Sequence, residues 1–238
     1  MSRIAAIVPA AGLGTRMGAE LPKQFLELDG VPLIVFTLRR LAGCPAITDF
    51  FISTRADDIV ALEDMVAKAA LGRPARVVHG GDTRQQSVAN ALAQVDPSTE
   101  IIVVHDAVRP FVTVAQTDRV IAEARARGAA ILGIPAIDTV KEVKRATLPE
   151  DMALITATIP RERIVLAQTP QAFTYALLRD GFRKAQQDGV TASDEAALVE
   201  RLGHDVFVVL GSERNIKITR PADMDLARFY LEQERAGK

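Results

Sequence analysis

Short apolar runs alternate with amphipathic stretches along most of this chain. Residues 4–8, Ile-Ala-Ala-Ile-Val, form an unbroken apolar run of the kind a strand shows when both of its faces are covered. A helical period follows over 33–41. The alternation then repeats, with a strand at 50–53 and a helix at 57–69, and next a strand at 77–79 and a helix through Val88, Ala91 and Leu92. Further strands are expected at 101–104, 130–134 and 206–210. Repeated strand–helix units predict an α/β fold, a Rossmann-like, mainly parallel sheet with helices on both faces. Ser193-Asp-Glu reads as a helix start, and Pro221 suits a first helical turn. With no Gly-, Ser- or Pro-rich linker and no internal repeat, one domain over 1–238 is expected.

One segment breaks the rhythm. From Asp138 to Ala157, two extended polar–apolar pieces flank a turn-prone Leu148-Pro-Glu-Asp. A hairpin with so little core-facing surface is marginal alone. The pattern leaves open whether it is a surface hairpin or an arm that packs on a partner.

Composition narrows the setting. At 48% hydrophobic and 25% charged residues the chain falls in the globular range, so a substantial core is expected. Its 29 Lys+Arg against 30 Asp+Glu leave a net charge of -1, too little for a global field that attracts nucleic acid, so any anion site must be local. Cys44 is the single cysteine, and residues 1–4 reach a strand without an extended apolar leader; both predict a reducing, cytoplasmic setting. No run approaches the roughly 20 apolar residues that span a bilayer.

The most informative chemistry follows the first strand, in Pro9-Ala-Ala-Gly-Leu-Gly-Thr-Arg-Met and then Pro22-Lys-Gln-Phe25. A strand that empties into small residues can turn backbone N–H groups toward phosphates, here along Pro9, Ala10, Ala11, Gly12 and Gly14, with Arg16 and Lys23 as cations. The loop lacks the Gly-Lys pair of a Walker motif. It also has Met17 where a dinucleotide fingerprint needs its third glycine. The residues alone also allow a surface loop with two solvated cations.

Two later strand ends carry further candidates. In Gly80-Gly-Asp-Thr-Arg-Gln-Gln-Ser87, the glycines Gly80 and Gly81 permit close approach of a flat base, and the Ser87 hydroxyl can bond a pyrimidine edge. The same residues, with Asp82, also make a turn and a helix cap. In His105-Asp-Ala-Val-Arg-Pro110, Asp106 is the candidate Mg2+ ligand, because Mg2+ takes one or two carboxylates plus phosphate oxygens and water. Arg109 suits either a substrate phosphate or an ion pair with Asp106. His105 reads as a packing residue.

These motifs resemble those of the sugar-phosphate cytidylyltransferases, and within them the 2-C-methyl-D-erythritol 4-phosphate branch. The likeness continues through Pro135-Ala-Ile-Asp-Thr139, Thr169-Pro-Gln171, Ser193-Asp-Glu-Ala196 and Asn215-Ile-Lys-Ile-Thr219, in order over nearly the whole chain. It implies transfer of CMP from CTP to 2-C-methyl-D-erythritol 4-phosphate, with release of pyrophosphate, in non-mevalonate isoprenoid precursor biosynthesis. It implies that Gly80 to Ser87 read cytosine and ribose, and that Arg16, Lys23, Lys217 and Arg161 are catalytic. Asp106, Arg109, Thr139, Arg161, Thr169 and Lys217 would hold the acceptor, with Mg2+ as cofactor. The segment at about 138–160 would be a dimerisation arm carrying Arg161 toward the neighbouring subunit of a homodimer.

Three histidines in no triad spacing fit that chemistry, since a phosphate monoester with a second pKa near ~6 is already a nucleophile at neutral pH. Two other functions share features with this one. Ribitol-5-phosphate cytidylyltransferase resembles the chain in the first loop, but differs at Ser193-Asp-Glu-Ala-Ala-Leu. A non-catalytic CTP-binding regulator would bind nucleotide without releasing pyrophosphate.

Overall fold

The computed structural model describes residues 2–12, 22–144 and 152–237. In chain order these form β1 (Ile4–Pro9), a small hairpin of β2 (Glu27–Leu28) and β3 (Val31–Pro32), α1 (Leu33–Ala42), β4 (Asp49–Thr54), α2 (Ile59–Ala69), β5 (Ala75–His79), α3 (Arg84–Leu92) and β6 (Ile101–Val104). There follow α4 (Val114–Arg127), β7 (Ala129–Pro135), β8 (Val140–Lys144), β9 (Leu154–Ile159), β10 (Val165–Thr174), α5 (Tyr175–Asp188), α6 (Glu195–Glu200), β11 (Phe207–Leu210) and α7 (Pro221–Arg235). Seven strands make one sheet in the order β11-β7-β10-β6-β1-β4-β5.

The apolar run of β1 lies inside that sheet, between β6 and β4, with a helical layer on each side. Ile4, Ala6 and Val8 pack into one core with Leu38 and Leu41 of α1, Leu62 of α2 and Val120 of α4. Ala5 and Ile7 face the other way, toward Val88 of α3, Leu178 of α5 and Val199 of α6. Alternate residues of one strand thus feed two cores, as the continuous apolar pattern requires. A third cluster joins Leu28 and Leu33 to Val108, Phe111, Ile218 and the α7 residues Met224, Ala227 and Leu231. It anchors the loops before α7 over the carboxyl ends of β1 and β6.

The sheet is mainly parallel, with β1 parallel to β4 and β6, β4 to β5, and β7 to β11. The exception is β10, antiparallel to both β6 and β7. Its direction follows from the connection. Between β7 and β10 the chain makes a hairpin excursion instead of a helical crossover, so it returns beside β7 in the opposite sense. That excursion is the predicted arm, β8 paired antiparallel with β9 in a separate two-stranded sheet, with a register shift between Glu142 and Val143. Residues 145–151, and with them the turn expected at Leu148-Pro-Glu-Asp, lie outside the described residues.

Candidate active site

The loop after β1 and the turn after β5 are held against each other by backbone contacts to β4. Ala10 N donates to Ser53 O at 2.7 Å, and Gly80 N donates to Thr54 O at 2.7 Å. A Cβ on Gly80 would lie 2.9 Å from Ala11 Cβ and 3.2 Å from Thr54 O, so the close approach depends on glycine. Next to it, Thr83 caps α3 by accepting from Gln86 N at 3.0 Å. The Ser87 hydroxyl accepts from Gly81 N at 3.1 Å and donates to Thr83 O at 2.9 Å. Turn and cap are therefore real, and the same residues line a cavity.

That cavity, of about 220 Å³, is lined by Pro9, Ala10, Ala11, Gly12, Lys23, Gln24, Gly81, Asp82, Thr83, Arg84, Ser87, Asp106, Ala107, Val108 and Lys217. Gln24 shapes its floor, donating from Nε2 to Ala10 O at 2.6 Å. Arg16 and Gly14 lie outside the described residues. A second cavity of about 170 Å³ is lined by Arg109, Ala167, Gln168, Thr169, Gln171, Ser193 and Asp194, and shares Arg84, Asp106 and Lys217 with the first. Three charged residues thus form the wall between two spaces.

The wall is built around Asp106, 6% exposed at the end of β6. Its Oδ1 accepts from Arg84 Nε at 3.2 Å, while Oδ2 pairs with Lys217 Nζ at 2.9 Å and Arg109 Nε at 3.4 Å. Burial pushes the Asp106 carboxyl up, but Arg84, Lys217 and Arg109 outweigh that and hold it well below the usual carboxylate range. Arg84 Nη1 also donates to both oxygens of Glu195, at 2.7 and 2.9 Å. Burial opposes the Arg84 charge, yet Glu195 and Asp106 raise its pKa above the ordinary value. Arg109 is fixed by Nη1 on Asn215 O at 2.7 Å and, while paired with Asp106, also lines the second cavity.

Around this cluster lies a neutral support. Thr169 Oγ1 accepts from Asp106 N at 3.0 Å and sits 3.0 Å from His105 Nδ1, whose other nitrogen faces Arg109 O at 3.1 Å. A carbonyl partner makes that nitrogen the donor, so Nδ1 accepts the Thr169 hydroxyl and the ring is neutral. Burial pushes the imidazole down to about 4, and His105 packs as its sequence context predicts. Thr139 and Arg161 line neither cavity of this chain. Arg161 instead donates from Nη1 to Ile137 O at 2.7 Å, at the base of the arm.

Arg84 and Glu195 are the members that sequence reasoning passes over. Arg84 is inside the Gly80–Ser87 motif, and Glu195 is inside the Ser193–Ala196 motif, read as a helix start and a point of family likeness with no role for the glutamate, and capped by Asp194 on Ala197 N at 3.1 Å. A signal existed for neither role, because the pair spans 111 positions and forms only when α3 and α6 meet.

Comparison with known proteins gives the family. The family model described as "IspD: 2-C-methyl-D-erythritol 4-phosphate cytidylyltransferase" matches residues 4–233. The chain belongs to this family. The enzyme of that name from Acidobacterium capsulatum is 50% identical over 237 residues, covering 97% of this chain and 98% of the relative. The one from Solibacter usitatus is 46% identical, covering 98% of each chain. Among solved structures, the Anaerococcus prevotii 4-diphosphocytidyl-2C-methyl-D-erythritol synthase superposes with a TM-score of 0.83 at 30% identity, over 97% of this chain and 99% of that one. The Thermus thermophilus cytidylyltransferase gives 0.76 at 34%, over 96% and 98%. As a family member the chain is a cytidylyltransferase, with the mainly parallel α/β sheet its motifs predict.

Proposed function

We infer that this cytidylyltransferase transfers CMP from CTP to 2-C-methyl-D-erythritol 4-phosphate, in isoprenoid precursor biosynthesis. An oxygen of the acceptor phosphate attacks the α-phosphorus, the bond to the β-phosphate oxygen breaks, and pyrophosphate leaves. The observation that carries this reading is the wall of Arg84, Asp106 and Lys217 between two cavities. CTP in the first and the acceptor phosphate in the second would meet across it. The acceptor is already anionic at neutral pH, so the protein has to align and neutralise rather than abstract a proton.

In this scheme the backbone of Pro9, Ala10, Ala11, Gly12 and Gly14 takes the triphosphate, with Gly80, Gly81, Asp82 and Ser87 at the cytidine. Arg16 and Lys23 face charge building on the pyrophosphate, and Lys217 reaches both phosphates. Arg109 and Thr169 frame the acceptor side. Mg2+ fits as a companion of the triphosphate, because one carboxylate with phosphate oxygens and water is its ordinary environment. Asp106 would be that carboxylate once Lys217, now on its Oδ2, turns to the phosphates, and among the described residues no group of three or more acidic, His or Cys side chains offers a fuller cage. When bound, the ion supplies further charge neutralisation on the phosphates.

A homodimer completes the proposal. Among the described residues the arm strands β8 and β9 pair only with each other, and Val143, Leu154 and Ile155 are exposed, as are Val165 and Leu166 of β10. A second copy covering that apolar surface would bring Thr139 and Arg161 to a neighbour's acceptor cavity. No helix among the described residues is long and apolar enough to cross a membrane, and a cytoplasmic setting goes with the reading. The test is pyrophosphate release from CTP with 2-C-methyl-D-erythritol 4-phosphate and, separately, ribitol 5-phosphate. Turnover with only the first supports the assignment; turnover with only ribitol 5-phosphate, or CTP binding with no turnover, overturns it.

A further inference from the structure

The wall residues Arg84, Asp106 and Lys217, with Arg109 and Glu195 behind them, set three cations against two carboxylates, and the cations are not equally free. Side-chain exposure is 37% for Lys217, 28% for Arg84 and 10% for Arg109. Both arginines are anchored a second time, Arg84 on Glu195 and Arg109 on Asn215 O. Among the described residues Lys217 pairs with Asp106 only. Arg84 opens α3 on the nucleotide side, whereas Glu195 opens α6 beside Ser193 and Asp194 on the acceptor side. Arg84 itself lines both cavities and Glu195 neither, so their ion pair ties the wall to α6.

We propose that Arg84, seated by Glu195, is a positioning residue that balances the Asp106 charge and so releases Lys217 to the phosphates. This rests on the function proposed above. With Lys217 turned to substrate, Arg84 and Arg109 still match Asp106 and Glu195, two charges against two, and no buried carboxylate is left bare. Without Arg84, Glu195, 1% exposed, loses its ion-pair partner wherever Lys217 stands, and Asp106 competes with the phosphates for Lys217. Lysine at 84 keeps the charge but not the two separate nitrogens that reach Asp106 from Nε and Glu195 from Nη1.

The test compares Arg84→Gln, Arg84→Lys, Glu195→Gln and the double variant R84Q/E195Q by steady-state kinetics in both substrates, with melting curves alongside. Arg84→Gln should lower kcat by on the order of 10–100-fold, the range for residues that orient a reacting group through a partner, with KM for CTP changed much less. Arg84→Lys should recover only part of that loss, and Glu195→Gln should lower kcat in the same direction. The double variant should be no slower than Arg84→Gln, because Glu195 acts through Arg84. Multiplying losses in the double variant, a defect confined to KM for CTP, full rescue by lysine, or kcat tracking the melting temperature would overturn the inference. Should Arg84→Gln not fold, the Arg84→Lys and Glu195→Gln kinetics decide it by the same criteria. A wild-type chain that forms no product would instead refute the proposed function, while a working wild type matched by Arg84→Gln would refute the role of Arg84 alone.

Discussion

Replacing Lys217 with alanine separates catalysis from stability more cleanly than any other change in the wall. Its ammonium lies 2.9 Å from Asp106 Oδ2, a pair worth roughly 6 kcal/mol of raw Coulomb energy at an effective dielectric of about 20. Most of that is offset by hydration, since the lysine side chain is 37% exposed, and Asp106 keeps Arg84 and Arg109. The net cost to folding should be within about 1 kcal/mol. For a chain of this length that is a fall in Tm of about 2–4 °C. The chemical step should suffer far more. Lys217 stands where both cavities meet, and loss of one preorganised charge from a transition state lowers kcat on the order of 10²–10³-fold. Pyrophosphate release under saturating CTP and acceptor, with a thermal melt of the same sample, measures both numbers. A kcat within threefold of wild type, or a melt that collapses in step with activity, would refute the reasoning.

Other outcomes follow from the same geometry. Lys23→Ala should lower turnover more than CTP affinity, and steady-state kinetics showing only an affinity loss would contradict its place at the leaving pyrophosphate. Gly80→Ala should raise KM for CTP by forcing the turn away from Ala11 and Thr54; an unchanged KM would mean that this close approach does not shape the nucleotide cavity. His105 has its folded pKa pushed below its unfolded value, so its contribution is complete above about 6.5 and is lost as pH falls toward about 4. The amount is about 3 kcal/mol by the 1.36 kcal/mol per pKa unit relation, readable in urea titrations across that window and absent in His105→Gln. Cys44 is buried and its thiol is pushed up to about 11 by burial and the Asp118 hydrogen bond, so a thiol reagent should label it only after unfolding.

Much of the fold could be read directly from the chain, for a physical reason. Strands such as β1 and β6 are covered on both faces and so appear as unbroken apolar runs. The arm stood out because its residues had no core to face. In contrast, β10 reads Val-Leu-Ala-Gln-Thr-Pro-Gln-Ala-Phe-Thr, with polar residues at 168, 169 and 171 that belong to the site, and no apolar pattern marks it. Helices α4 and α5 go beyond the expected elements; the Thr113–Gln116 capping box and the glycines at 128 and 189 bound them. Of the site, Lys23, Asp106 and Lys217 converge as their motifs predict. The buried Arg84–Glu195 pair was invisible, because ionic partners far apart in sequence declare themselves only when the elements carrying them pack.

The most direct measurement is the structure of the chain with CTP, Mg2+ and 2-C-methyl-D-erythritol 4-phosphate, using a non-hydrolysable CTP analogue to hold the ternary state. The account predicts the triphosphate along Pro9 to Gly12 and Lys23, the acceptor phosphate beside Arg109 and Thr169, and Lys217 Nζ turned from Asp106 toward phosphate. Nucleotide bound away from the first cavity, or an acceptor that never approaches the Asp106 wall, would contradict it.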